Sequence, residues 1–296
     1  MNINLKEIKE TKSIQELLEF GIINVDKSSG PTSFNISAFV RRNLNLRKTS
    51  HFGTLDPKVT GVLPIALNRA CKLTGYFLGE NKTYVGIMRL HEEISLDEIQ
   101  KEIQKKFLGK INQIPPLKSR VKRQERQREI IKFDLLEKNG KDFLFSVECQ
   151  GGTYIRKLID DLGKELNIGA HMLELRRTKA GIFSENDSKY PAIKLYDLEK
   201  AIEEYKQGNE KLLREMIIPG EIITELYPTI KIKSTSEKNI LTGKPIKYDD
   251  LIEEQNFKNG EKVTVFCKKR FIGIYKIINN ESIFAKGEFV MQPIRG

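Results

Sequence analysis

The chain has 296 residues, of which 39% are hydrophobic, so it is long enough for one large folded domain and a small one. Lysine and arginine together number 51 against 40 aspartate and glutamate residues, a formal net charge of +11. This excess favours a polyanionic partner, but it fits a solvated surface of mixed charge equally well. The three cysteines, Cys71, Cys149 and Cys267, lie far apart, which argues against a disulfide framework or a zinc site.

The N-terminal segment and the hydropathy of the whole chain bear on its location. The first residues, MNINLKEIKE, are charged, and no apolar run approaches the ~18 residues that would cross a bilayer. We therefore expect a soluble protein of the cytoplasm that has no membrane partner. Residues 1–20 are polar and helix-prone, and we treat them as an N-terminal extension.

Strands and helices alternate from residue 21 onward. Apolar periodicity predicts strands at 21–25, 62–67, 84–90, 129–136 and 143–149, and helices capped by Thr32 or Ser33, at 69–78, at 95–108 and at 155–166. The last two strands flank the turn EKNG at 137–140, which predicts a hairpin. Strands that mix with helices and are joined by hairpins indicate an α+β fold.

The pattern changes towards the C-terminus. A charged helical stretch at 197–216 is followed by short predicted strands at 229–233, 262–267, 272–278 and 282–286. We place a domain boundary near residue 224, because the roughly 70 residues that follow suffice for a small β-barrel. The predicted organisation is thus an extension at 1–20, a large domain at 21–223 and a small domain at 224–296.

One acidic residue lies in an unusually restricted loop. The segment HFGTLDPKVTGVLP, residues 51–64, surrounds Asp56 with glycine and proline, residues that fix a backbone and can hold a carboxylate at one angle. Taken alone, an Asp-Pro pair in a loop is more often only a turn.

Several blocks of sequence resemble the TruB/dyskerin family of RNA pseudouridine synthases. The segment GTLDP at 53–57 followed by GVLP at 61–64 is similar to the signature loop of that family. Further similar blocks occur in the family's order: VDK at 25–27 with GPTS at 30–33, KTYVG at 82–86, GTYIR at 152–156 and GAHMLELRRT at 169–178. The resemblance covers roughly residues 20–185 and implies a catalytic domain with a mixed, mainly antiparallel sheet flanked by helices.

The resemblance also implies a reaction and the residues that perform it. The N-glycosidic bond of a uridine breaks, the uracil turns over, and its C5 atom rejoins the ribose C1′. Because one ionised carboxylate can act as nucleophile or base in this isomerisation, no metal or organic cofactor is expected. Asp56 would be that carboxylate, and Arg156 would keep it charged.

Other residues of the motifs would complete the pocket. By the same resemblance, Tyr84 stacks on the uracil and helps to remove the C5 proton, while Tyr154 and Leu175 shape the wall. On spacing alone, these three side chains fit an ordinary core better. Phe52 stands where the family has a small residue, and we expect it to affect the access of the substrate to Asp56.

Basic side chains offer contacts to RNA. Lys27 could neutralise a phosphate or be a solvated turn lysine, and His51 could contact RNA or pack beside the loop. The segment LKSRVKR at 117–123 concentrates positive charge that suits a phosphate backbone, although a solvated surface remains an alternative. Its candidate RNA-binding residues are Lys118, Arg120, Lys122 and Arg123.

Two features resemble the archaeal dyskerin branch of the family. The interval between Tyr84 and Pro115 is short, and residues 229–290 are similar to a PUA RNA-binding domain, although a plain small β-barrel is an alternative. This branch implies an H/ACA guide RNA and small accessory proteins as partners, with ribosomal or transfer RNA as substrate.

Three other functions are compatible with parts of the sequence. A stand-alone enzyme that modifies the TΨC arm of transfer RNA belongs to the same family. A non-catalytic RNA scaffold would keep the fold but not the chemistry. A glycoside hydrolase is a weaker alternative, because it usually needs two carboxylates that face one bond.

Overall fold

The computed structural model describes residues 3–115, 122–253 and 255–292. The chain forms two compact units, Leu18–Ile218 and a smaller one that combines Met1–Leu17 with Pro219–Gly296. These units differ from the predicted domain ranges, since the N-terminal residues belong to the same unit as the C-terminal ones. The reason is physical: helix α1 (Leu5–Thr11) buries apolar side chains, and Lys12 donates a hydrogen bond to Glu221.

The larger unit begins within helix α2 (Ile14–Glu19) and ends within strand β11 (Ile217–Pro219). Between them the strands are β1 (Gly21–Lys27), β2 (Thr49–His51), β3 (Thr60–Leu67), β4 (Lys82–Leu90), β5 (Gly109–Gln113), β6 (Arg126–Asn139), β7 (Asp142–Cys149), β8 (Ala170–Ala180), β9 (Phe183–Ser184) and β10 (Ile193–Lys194). The helices are α3 (Ser33–Asn43), a 3₁₀ helix (Asn68–Leu73), α4 (Thr74–Leu78), α5 (Leu96–Lys106), α6 (Ile155–Glu165), α7 (Leu195–Lys206) and α8 (Lys211–Met216).

One mixed sheet organises this unit. Its strand order is β10-β1-β3-β8-β4-β7-β6-β5, and β2 pairs with β3. The contacts of β1 with β10 and of β3 with β8 are parallel, whereas the remaining pairs along this order are antiparallel. The α+β class and the mainly antiparallel sheet are therefore confirmed.

Helix α6 shows why the sequence predicted the elements near the site well. Its apolar stripe, Ile155, Leu158, Ile159 and Leu162, is buried. Gly163 lies on the same helix where it meets the start of β8: a Cβ atom there would lie 2.1 Å from the Ala170 nitrogen. The helix therefore packs on the sheet at a distance that only glycine permits.

Some predicted elements have different boundaries. The helix expected at 69–78 is a 3₁₀ helix followed by α4, and the hairpin strands continue to Asn139 and from Asp142, which shortens the turn. The charged stretch at 197–216 forms two helices, α7 and α8, because Gly208 adopts a φ of +95° beyond the end of α7. A left-handed residue at this position ends a helix.

The smaller unit contains a second sheet of order β12-β13-β14-β15. After a 3₁₀ helix (Gly220–Glu225), its elements are β12 (Thr229–Lys231), α9 (Glu237–Leu241), a 3₁₀ turn (Tyr248–Asp250), β13 (Lys262–Cys267), β14 (Arg270–Ile277) and β15 (Ala285–Val290). The pair β12–β13 is parallel and the other two pairs are antiparallel. The last strand begins three residues later than predicted, since residue 282 precedes it in a turn.

Candidate active site

The loop that carries Asp56 is fixed from both sides. Leu55 and Val59 are buried, whereas Asp56 between them is exposed. The Ser33 hydroxyl accepts a hydrogen bond from the Leu55 N–H (2.8 Å) and donates one to the Leu55 carbonyl (3.0 Å). Two apolar anchors and one hydroxyl thus hold the backbone, so the intervening carboxylate points into solvent from a rigid loop.

Lys27 supports the same loop from below. Its side chain is fully buried, and its ammonium donates to the carbonyl oxygens of Ser28 (2.9 Å), Pro57 (2.9 Å) and Val59 (2.8 Å). Burial lowers the pKa of Lys27, and the charge of Asp56 partly offsets this effect. Both expectations for Lys27, a phosphate contact and a solvated turn lysine, are wrong, because these carbonyls occupy its donors inside the protein.

Asp56 and Arg156 form an ion pair. The Arg156 Nη2 atom lies 2.6 Å from Asp56 Oδ2, and the two side chains are 59% and 48% exposed. Arg156 belongs to the first turn of α6. A pair this exposed adds little to stability, but its short contact fixes the orientation of the carboxylate.

Tyr84 and Leu175 form a buried wall beside this pair. Tyr84 on β4 lies opposite Arg177 on β8, and Gly86 lies opposite Leu175, so the four residues occupy one face of the sheet. Burial raises the pKa of Tyr84; Arg177 opposes the rise and Asp56 adds to it. The phenol is therefore neutral and lies close enough to both charges to respond to them.

Arg177 is a site residue that motif reasoning did not single out. It is 1% exposed, and it donates from Nε to the Val62 carbonyl (2.8 Å) and from Nη2 to the Gly53 carbonyl (2.9 Å). It thereby joins the two ends of the Asp56 loop. A sequence signal existed: in a strand, Leu175 and Arg177 share a face, so a buried Leu175 implies a buried Arg177.

Lys82 is a second buried cation near the wall. Its ammonium donates to the carbonyls of Phe77 (3.1 Å), Leu78 (3.3 Å) and Glu80 (2.6 Å). Burial, together with the nearby charge of Arg177, lowers its pKa to about 8. Two buried cations, Lys82 and Arg177, therefore lie close enough together for the charge of Arg177 to lower the pKa of Lys82.

His51 is half-buried and Phe52 is buried, directly before the loop that carries Asp56. The Nε2 atom of His51 is 3.0 Å from the Thr54 hydroxyl, and burial, reinforced by Arg177, lowers the pKa of the imidazole. Phe52 is 1% exposed and stacks on Phe77 with ring centroids 4.7 Å apart. The expectation that Phe52 affects the access of the substrate is therefore wrong, since its ring faces the core.

The remaining predicted residues lie further along the chain. Tyr154 is half-buried and precedes α6. Lys122 and Arg123 are exposed, whereas Lys118 and Arg120 lie outside the described residues. Over residues 3–115, 122–253 and 255–292, no group of three or more His, Cys, Asp or Glu side chains could hold a metal ion. In the same ranges no helix is long and apolar enough to span a membrane.

Comparison with known proteins shows which family the chain resembles. A model of the TruB family pseudouridylate synthase N-terminal domain matches residues 41–155, and a model of the tRNA pseudouridylate synthase B C-terminal domain matches residues 156–224. Probable tRNA pseudouridine synthase B of Methanopyrus kandleri is 43% identical over 88% of this chain and 76% of its own length. The protein of the same name from Methanocaldococcus jannaschii is 46% identical over 78% of this chain and 68% of its own length.

Solved structures show the same relationship. The structure of a Cbf5-Nop10-Gar1 complex matches with a TM-score of 0.85 and 36% identity, covering 96% of this chain and 89% of the matched one. An H/ACA RNP bound to a substrate RNA containing 2′-deoxyuridine matches with a TM-score of 0.85, 34% identity and the same coverage. The chain therefore belongs to the TruB family of pseudouridine synthases, and it is an RNA isomerase.

Proposed function

We propose that this protein is the catalytic subunit of a guide-directed particle of the H/ACA type, which isomerises chosen uridines in ribosomal RNA, transfer RNA or both. The observation that carries the proposal is the similarity to Cbf5, because it extends over 96% of the chain and the matched proteins stand in complexes with Nop10, with Gar1 or with H/ACA RNA. The short interval between Tyr84 and Pro115 supports the same assignment.

Asp56 is assigned the central chemical role. Its carboxylate is exposed on a rigid loop and paired with Arg156 at 2.6 Å, so it is available to a ribose that enters from solvent. Acting as nucleophile or base there, it permits the N1–C1′ bond to break. The C5–C1′ bond then forms and the C5 proton leaves while N1 gains one, so the reaction is balanced without an oxidant or a leaving group.

Tyr84, Leu175 and Tyr154 are assigned to the uracil. Tyr84 and Leu175 are each 8% exposed, and they offer an aromatic and an apolar surface against which a flipped base can stack. Because burial raises the pKa of Tyr84, a neutral phenol faces the base. A neutral phenol is a weak base, so stacking is its first role and assistance with the C5 proton its second.

RNA contacts outside the pocket are assigned to two regions. Lys122 and Arg123 are exposed and follow the candidate residues Lys118 and Arg120 along the chain, so this segment suits a phosphate backbone. The smaller unit, with its four-stranded sheet and apolar core, is assigned as a PUA-like RNA-binding domain. This assignment is supported by the sequence pattern after residue 228.

The test is pseudouridine formation by the purified protein in ribosomal and transfer RNA fragments. Each RNA is incubated with and without an H/ACA guide RNA and the accessory proteins. We expect conversion at the uridine that the guide exposes, and much slower conversion when the guide is omitted. Conversion that does not respond to the guide would contradict the guide-dependent assignment.

A stand-alone transfer RNA enzyme is the second candidate. The observation that favours it is the name of the archaeal relatives, probable tRNA pseudouridine synthase B. It predicts that the protein alone converts the TΨC-arm uridine of a transfer RNA. The absence of conversion in every mixture would instead favour an RNA scaffold.

A further inference from the structure

A glutamine side chain is clamped onto the backbone that leads to Arg156. Gln113, the last residue of β5, is 2% exposed. Its Nε2 atom donates to the Tyr154 carbonyl (3.2 Å), and its Oε1 atom accepts from the Tyr154 N–H (3.0 Å). The planar amide thus satisfies both backbone groups of one residue, as a neighbouring strand would.

Tyr154 directly precedes Ile155, the first residue of α6. It is the N-cap of the helix, and its side chain makes no capping hydrogen bond to the first turn. Its carbonyl accepts the first helical hydrogen bond, from the Leu158 N–H (2.9 Å), and so it is shared between the helix and Gln113. Arg156 follows two residues later and reaches Asp56. The direction in which α6 starts therefore sets where this guanidinium lies.

Strand β6, which pairs with β5, also bonds the segment that precedes α6. Arg128 on β6 lies opposite Ile111 on β5, and its Nε atom donates to the Gly152 carbonyl (3.1 Å). The backbone carbonyl of Glu129 accepts from the Gln150 N–H (2.8 Å). The paired strands β5 and β6 thus hold residues 150–154, which lead into α6, by hydrogen bonds at several points.

Burial of Gln113 calls for a reason beyond packing. An amide in this position loses its hydration, and an apolar side chain of similar volume would not. The two hydrogen bonds to Tyr154 offset that loss. One of them also gives an acceptor to the Tyr154 N–H, one of the donors that a helix leaves unsatisfied at its start. Gln113 therefore fixes the backbone position at which α6 starts.

We infer that Gln113 is a positioning residue for the isomerisation, which acts through the Tyr154 backbone to hold Arg156 against Asp56. The inference rests on the role that the proposed function gives to Arg156. A displacement of about 1 Å in a group that orients the reacting atoms can cost on the order of 10²-fold in rate. Loss of the clamp is therefore expected to slow chemistry without weakening RNA binding.

The test compares Gln113→Met with Gln100→Met. Gln100 is a matched control, because its amide also bonds the backbone twice, to the Phe133 carbonyl (3.4 Å) and the Leu135 N–H (3.3 Å), away from α6. Single-turnover conversion is measured at saturating RNA in the complete particle, alongside RNA affinity and unfolding. We expect Gln113→Met to lower the rate constant about tenfold or more with RNA affinity unchanged, and Gln100→Met to leave the rate constant unchanged.

A conservative variant supplies a pH signature. In Gln113→Glu, the neutral carboxyl can still donate to the Tyr154 carbonyl and accept from its N–H, whereas the ionised form can only accept. The rate of this variant relative to wild type is therefore expected to fall as the pH rises through the pKa of the introduced group. A constant ratio across that range would contradict the clamp.

Hydrogen exchange separates failure of this inference from failure of the proposed function. Amides of the first turn of α6 are expected to exchange faster in Gln113→Met than in wild type or Gln100→Met. Unchanged exchange there, or equal rate constants in the two methionine variants, would overturn the inference. If wild type is inactive in every mixture while exchange still increases, the proposed function fails and the structural clamp stands.

Discussion

The pair formed by Asp56 and Arg156 is exposed, so it contributes little to stability. For Arg156→Lys we expect the rate of uridine conversion to fall about 10²-fold, because an ammonium lacks the planar donors that orient a carboxylate. RNA affinity and the free energy of unfolding should hardly change. Single-turnover assays, RNA-binding titrations and chemical unfolding measure the three quantities.

An equivalent substitution elsewhere gives the control. Arg89 donates to both carboxylate oxygens of Asp142, each at 2.6 Å, on an exposed part of the same sheet. Arg89→Lys should leave the rate of conversion at the wild-type value. A similar loss in both variants would mean that Arg156 has no special role.

His51 makes stability depend on pH. Burial and Arg177 lower its pKa in the folded protein from an ordinary value of 6.5, so below that pH the unfolded chain binds the proton more readily. The folded state therefore loses stability as the pH falls. His51→Gln cannot titrate, and between about pH 7.5 and about pH 5 its free energy of unfolding should drop less than that of wild type. Equal drops in urea unfolding would refute this.

The side chains that make the site differ in how well the sequence revealed them. Asp56, Tyr84 and Arg156 stand in motifs that resemble a known family. The structure pairs the carboxylate with the guanidinium, and the phenol lies close enough to the carboxylate to feel its charge. Lys27 and Arg177 were missed as internal supports, because cations are rarely buried. Only their carbonyl partners explain their positions, and those partners are distant in sequence.

At the scale of elements, the parallel pairing of β3 with β8 fixes one end of the Asp56 loop. A Cβ atom on Gly61 would lie 2.2 Å from the Arg177 carbonyl oxygen, and Gly61 has a φ of +103°. Gly30 has a similar φ of +111° but open space around it. Gly61→Ala should therefore destabilise the protein by about 2 kcal/mol more than Gly30→Ala. Denaturant unfolding measures both, and equal losses would contradict the steric account.

Elements with one clear periodicity were predicted best. The alternating strand β7 and the apolar stripe of α6 have a single solution, so their positions agree with the structure. The 3₁₀ helix before α4, the break between α7 and α8 and the late start of β15 were not predicted. Each depends on a turn geometry, such as the left-handed Gly208, which hydrophobic spacing does not encode.

At the scale of the whole molecule, the N-terminal residues are part of the smaller unit. Lys12 donates to Glu221 at 2.5 Å, and the Glu221 side chain is 5% exposed. Lys12→Met would leave a buried carboxylate without this partner and should destabilise the unit by about 3 kcal/mol. Adding Glu221→Gln should restore much of the loss. Hydrogen exchange of β13 and β14 amides measures the effect.

Lys6 provides the control for that prediction. Its side chain is 86% exposed, and its distance to Glu10 is 4.0 Å. Lys6→Met should change the stability of the smaller unit by less than about 0.5 kcal/mol. If Lys12→Met behaved like Lys6→Met, the N-terminal residues would be an extension after all, as the sequence first indicated.

The proposed activity of the whole protein depends on the carboxylate of Asp56. Pseudouridine formation is measured with guide RNA and accessory proteins for wild type, Asp56→Asn and Asp97→Asn, the last an exposed acid on α5. We predict that wild type and Asp97→Asn convert the uridine, and that Asp56→Asn binds RNA normally but converts it at least about 10³-fold more slowly. Conversion by Asp56→Asn at a rate close to that of wild type would contradict the account.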